Sequence, residues 1–73
     1  MSKKDKQLFY EDLIESITEL YNVSHEIAHK AILLSDMETI IKRIGIFVCH
    51  DPIEVWAESV WACYNRKINT IEI

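Results

Sequence analysis

One glycine and one proline in 73 residues is very little turn chemistry. A meander of strands needs Gly, Pro and Asn clusters at each reversal, so the shortage excludes one and points to helices joined by tight connections. Long hydrophobic runs are missing as well: no apolar stretch approaches the roughly eighteen residues of a membrane-spanning helix. The start, Met1-Ser2-Lys3-Lys4-Asp5-Lys6, is basic but passes into Leu8-Phe9-Tyr10 and then Glu11-Asp12. No secretory signal is therefore expected, and the chain reads as cytoplasmic. In a reducing compartment its two cysteines, Cys49 and Cys63, are expected to be free thiols packed as small buried hydrophobes.

Positive charge is the third shortage. Eight Lys and Arg stand against twelve Asp and Glu, a net charge of −4. Three of the eight, Lys3, Lys4 and Lys6, lie in a leader expected to fray; beyond residue 6, five basic residues face eleven acidic ones. Phosphate contacts need clustered Lys and Arg, so this balance disfavours a nucleic-acid binder, a helix-turn-helix included. What the chain has in quantity is hydrophobic residues, 49% of the total. A domain this small buries only about 60% of the surface its unfolded chain exposes, and a rich apolar content offsets that.

Those apolar residues recur at helical spacing. Phe9, Leu13, Ile17, Leu20 and Tyr21 form one stripe, predicting a helix from about Asp5 to Tyr21. Asn22 supplies a break, and Ser24 caps a second helix starting near His25, with Ile27, Ala28, Ala31, Ile32 and Leu34 inward. Ser35-Asp36-Met37-Glu38 fits the S-x-x-E capping box, predicting a third helix with Met37, Ile40, Ile41 and Ile44 inward and Gly45 as its left-handed cap. Ile46-Phe47-Val48-Cys49 is too short an apolar run to separate a buried strand from a continuing helix. Asp51-Pro52-Ile53-Glu54 then starts a fourth helix, with aspartate as cap, proline at the first helical position and Glu54 three residues after the cap. Ile53, Trp56, Ala57, Val60 and Tyr64 face inward, and the helix is expected to end near Asn65. The tail from 67 to 73 alternates apolar and polar residues, which fits an extended segment or an unstructured end. The fold class is an all-α bundle of three to four short helices in a single domain, with a tail that is extended or disordered.

One motif argues for catalysis. His25-Glu26-Ile27-Ala28-His29 matches H-E-x-x-H, in which two histidines one helical turn apart share a zinc ion and the glutamate activates its water. The context does not fit a zinc peptidase. His25 would open its helix, where ends fray, and a third ligand at metzincin spacing falls on Ser35. His50, Cys49, Asp36 and Glu38 are the remaining candidate ligands, and nothing before residue 25 reads as the strand that pairs with a peptide substrate. A structural zinc held by His25, His29 and one cysteine is the neighbouring alternative, although no C-x-x-C pair is present. Cys49 beside His50 lacks the glycine-rich turn of an oxyanion hole. The expectation is no enzyme and no cofactor.

Glu11, Glu15 and Glu19 repeat every four residues on the first helix, with Asp12 beside them. Like charges at that spacing cost roughly 0.2–0.5 kcal/mol per pair, and no lysine is interleaved to offset them. The row is either a solvated face or the docking site of a basic protein surface; a second copy of the chain is the other partner considered. Trp61, on the border of the fourth stripe, is either peripheral core or an interface anchor, a role in which tryptophan is enriched.

Tyr21-Asn22-Val23-Ser24 closing the first helix, Ser35-Asp36 after the second, and His50 fifteen positions beyond Ser35 resemble a family of short bacterial helical proteins known only as a domain of unknown function. An aromatic-bearing amphipathic helix closes that pattern too. The family has proline after the equivalent of Ser24, where this chain has His25, so H-E-x-x-H lies outside it. Some members are encoded beside proteins resembling ADP-ribosyltransferase toxins. The resemblance thus implies an antitoxin or adaptor that binds another protein, with no catalytic residues to carry over.

Overall fold

The computed structural model describes residues 2–72, with side chains placed for residues 2–69. Four α-helices follow one another: α1 (Lys3–Tyr21), α2 (His25–Leu34), α3 (Met37–Ile44) and α4 (Ile53–Glu72). A 3-10 helix, Gly45–His50, joins α3 to α4, and no strand occurs among the described residues. The chain is an all-α small bundle.

Local chemistry explains most of the boundaries. The Ser2 hydroxyl accepts the Asp5 N–H at 3.1 Å, so α1 begins at Lys3, two residues before the expected start at Asp5, and the three lysines are helical, not frayed. Met1 lies outside the described residues. Asn22 ends α1 in the left-handed region (φ 52°, ψ 49°), which asparagine tolerates better than most residues. Ser24 caps α2 as expected, accepting the Ile27 N–H at 3.2 Å.

The capping box at Ser35 does not form. Only Ser35 and Asp36 separate α2 from α3, so Ser35 has to close the first of these helices. Its N–H donates to the Ala31 and Ile32 carbonyls and its hydroxyl donates to Ile32 at 2.7 Å. That oxygen still accepts the Met37 N–H, while Glu38 turns away to pair with Lys6 at 3.4 Å. Asp36 occupies the cap position, but its side chain makes no capping hydrogen bond to α3.

Gly45 ends α3 at φ 56°, ψ −131° and donates its N–H to the Ile41 carbonyl. The positive φ was legible in the sequence; the ψ is not that of a left-handed cap but of a sharper reversal, which leads into the 3-10 helix. A Cβ at this position would meet no atom within 4 Å, so the cost of a side chain is conformational alone. Gly45→Ala is expected to destabilise the protein by about 1–3 kcal/mol, read as a lowered urea midpoint at unchanged slope.

α4 departs most from the sequence reading. It starts at Ile53, so Pro52 takes the cap position, the Pro52 carbonyl accepting the Val55 N–H, and Asp51 stands one residue too early, extended at φ −93°, ψ 149°. Its carboxylate makes no hydrogen bond to the helix start among the described residues. At the other end α4 continues past Asn65 to Glu72, so the segment from 67 is helical and not extended; Ile73 lies outside the described residues. Ile68 packs against the core, and Lys67 donates to the Leu34 carbonyl at the end of α2. These contacts hold helical a segment whose alternation alone reads as strand.

α1, α2 and α4 pack on one another, and α3 reaches α2 and the 3-10 helix. Leu13, Ile17, Ala28, Ala31, Met37, Val48 and Ala57 lie at the centre, with Phe9, Ile32, Ile41, Val60 and Tyr64 around them. Three fully buried alanines let the helix axes approach closely, which a bundle of larger side chains would prevent. Two residues expected inward face solvent. Leu20 is exposed because its neighbour Tyr21 makes the contact with α4, and Ile27 falls at the edge of the arc set by Ala28, Ala31 and Ile32. Cys49 is exposed and Cys63 half-buried, so neither is the buried hydrophobe expected. No helix among the described residues is long and apolar enough to cross a membrane.

Candidate functional site

The carboxylates of α1 stand where the four-residue spacing places them. Glu11, Asp12, Glu15 and Glu19 are all exposed, on the side of α1 opposite Leu13 and Ile17. Glu11 accepts a hydrogen bond from the Gln7 side chain at 3.4 Å. Among the described residues no ion pair is seen at any of the four, whereas Lys6 pairs with Glu38 and Lys67 with Asp36. Leu8, itself half-exposed, lies at the N-terminal end of the same face.

Beside this face runs a groove that the sequence did not disclose. It has a volume of about 500 Å³ and lies between α1 and α2, floored by Tyr10, Ile14 and Ile32 and walled on one side by Leu33. Charged side chains rim it, Lys3, Lys6 and Glu11 on α1 and Glu38 on α3, with the His29 imidazole on α2. Glu11 therefore belongs both to the carboxylate row and to the edge of the groove. Leu33 is 68% exposed, an open apolar wall and not a closed seam. Burial raises the pKa of the Tyr10 phenol above its ordinary value, and the nearby negative charge of Glu38 adds to this. The phenol consequently stays neutral and able to donate a hydrogen bond at any physiological pH. Finding this groove requires knowing that α1 and α2 lie side by side; Ile14 and Leu33 at the margins of their stripes were its only signal.

Trp61 does not join the carboxylates. Its ring stacks on Tyr21, with centroids 4.7 Å apart and planes at 13°, and tilts against Tyr64 at 5.3 Å. Tyr21 and Glu19, two residues apart, project about 160° apart around α1, so tryptophan and acidic row lie on different sides. Trp61 is thus half-buried against the core, where α1 and α4 meet.

His25 and His29 are both exposed in the first turns of α2. Among the described residues no group of three or more His, Cys, Asp or Glu side chains comes together in a way that could hold a metal ion. A catalytic zinc needs three protein ligands, and among the described residues no third donor joins the pair. His29 instead forms part of the groove rim. His50 stacks on Phe47 at 5.4 Å, well separated in sequence from both histidines and engaged elsewhere.

Comparison with protein-family models, with curated proteins and with solved structures gives no match for this chain.

Proposed function

We propose that the chain is a non-catalytic protein-binding module of the antitoxin or adaptor kind, docking through the acidic face of α1 onto a basic surface of another protein. The observation that carries this reading is the junction at Glu11. An unpaired row of carboxylates adjoins an open groove with an apolar floor, and the two share that residue. Protein interfaces combine these elements, an apolar centre that excludes water and a charged margin that steers encounter. Binding there would act by occlusion, covering a basic surface that the partner needs for its own activity.

The test uses the double variant Glu15→Lys, Glu19→Lys. Both side chains are exposed, and reversal relieves like-charge repulsion along α1, so the fold is expected to remain intact or to gain slightly. Affinity capture from extracts of the source organism identifies the partner with wild-type bait. Association rates are then measured at low and high salt. The double variant is expected to associate roughly tenfold more slowly at low salt, the difference fading as salt screens the charges. Equal rates at low salt would reduce the row to a solvated surface.

A further inference from the structure

We infer that the 3-10 helix Gly45–His50, with the helix ends on either side of it, is a self-complementary surface through which two copies of the chain pair about a twofold axis. The surface shares no residue with the α1 face.

A 3-10 helix has three residues per turn, so residues three apart form one ridge and a single ridge can face the core. Gly45 and Val48 take that position, and Val48 is fully buried. The apolar run Ile46-Phe47-Val48-Cys49 cannot be buried as a whole in this geometry. Ile46 and Phe47 fall on the other two ridges, 54% and 64% exposed. Phe47 and His50, three apart, stack with planes at 17° and present a flat aromatic step. The segment is also held from behind: the Trp56 indole N–H donates to the Val48 carbonyl at 2.7 Å. An apolar ridge fixed in this way loses little further freedom when it is covered.

Charge identifies what covers it. Lys42 and Arg43, in the last turn of α3, precede the ridge; Asp51, directly after the 3-10 helix, and Glu54, in the first turn of α4, follow it. All four are exposed, and none forms an ion pair among the described residues. The ridge is therefore flanked by two unpaired positive charges on one side in sequence and two unpaired negative charges on the other. A basic protein, an acidic protein, a nucleic acid or an anionic membrane would satisfy one pair and be repelled by the other. A second copy related by a twofold axis sets each positive pair against the other copy's negative pair, because an isologous interface presents one patch to itself. Association would also supply apolar burial that a chain of 73 residues has difficulty providing alone.

Sedimentation equilibrium of the full chain over a concentration series is expected to show a monomer–dimer equilibrium. Phe47→Glu, at a position too exposed to support the core, should weaken the dimer by roughly tenfold or more while retaining the helical circular dichroism spectrum. Two charge-reversal variants follow: Lys42→Glu with Arg43→Glu, and Asp51→Lys with Glu54→Lys. Each alone is expected to self-associate less than wild type, because its patch carries a single sign. Mixed together they should form a heterodimer, since each then offers what the other lacks. Wild type that stays monomeric at every concentration would overturn the proposal. So would a dimer indifferent to Phe47→Glu, or a mixture of the folded reversal variants that does not associate.

Discussion

Leu13→Ala is expected to lower the unfolding free energy by about 2–5 kcal/mol, the range for truncating a fully buried leucine. Leu13 is 0% exposed, at the centre of the face that α1 turns toward the rest of the bundle. The loss has two parts, the transfer free energy of the deleted atoms and the cavity that helices pinned by close alanine contacts cannot collapse to fill. Against it stands a total stability of about 4–11 kcal/mol for a chain of this length, at the usual value per residue. One substitution thus removes a large share of the whole. Urea titration should show the midpoint falling sharply while the slope stays constant. Leu8→Ala, on the same helix but half-exposed, is the control and should shift stability by no more than about 0.5 kcal/mol. Similar losses at both positions would mean that α1 does not bury the face that its stripe defines.

The contrast between Leu8 and Leu13 also marks how far the sequence reaches. The period of the apolar residues identifies Phe9, Leu13 and Ile17 as one buried line because they serve a single helix and need no knowledge of its neighbours. Ser24, Asn22 and Gly45 were legible for the same reason, since each acts on its own backbone or within three residues. Reading failed where one residue answers to two elements. Ser35 closes α2 and assists α3, and Glu38 is drawn off by Lys6, thirty-two positions away in the chain. The end of α4 failed likewise: contacts with Leu34 and the core decide the state of Lys67 and Ile68. At the candidate site the carboxylates could be placed from spacing alone. The groove beside them could not, because Tyr10 and Ile14 meet Ile32 and Leu33 only through the pairing of α1 with α2.

Trp61 shows the same limit, and its truncation carries the second large effect. Trp61→Ala is expected to cost about 2–4 kcal/mol, somewhat below the usual loss for a buried aromatic because one edge of the indole remains in solvent. The indole bridges two elements. It stacks on Tyr21, the last residue of α1, and leans on Tyr64 in the buried face of α4. Each aromatic contact of this kind contributes about 0.5–1.5 kcal/mol beyond the area it covers. Removing the ring breaks both contacts and leaves Tyr21 without its stacking partner at the end of α1, where Asn22 turns the chain. Trp61→Phe keeps a flat ring in the stack and should recover most of the loss. The measurement is made on the isolated protein, and this separates the two roles that the sequence allowed. A packing residue lowers the midpoint with no partner present and removes the near-ultraviolet dichroism of the stacked rings. An interface anchor would leave both unchanged and weaken only the complex; a wild-type midpoint for Trp61→Ala would therefore return Trp61 to the binding surface.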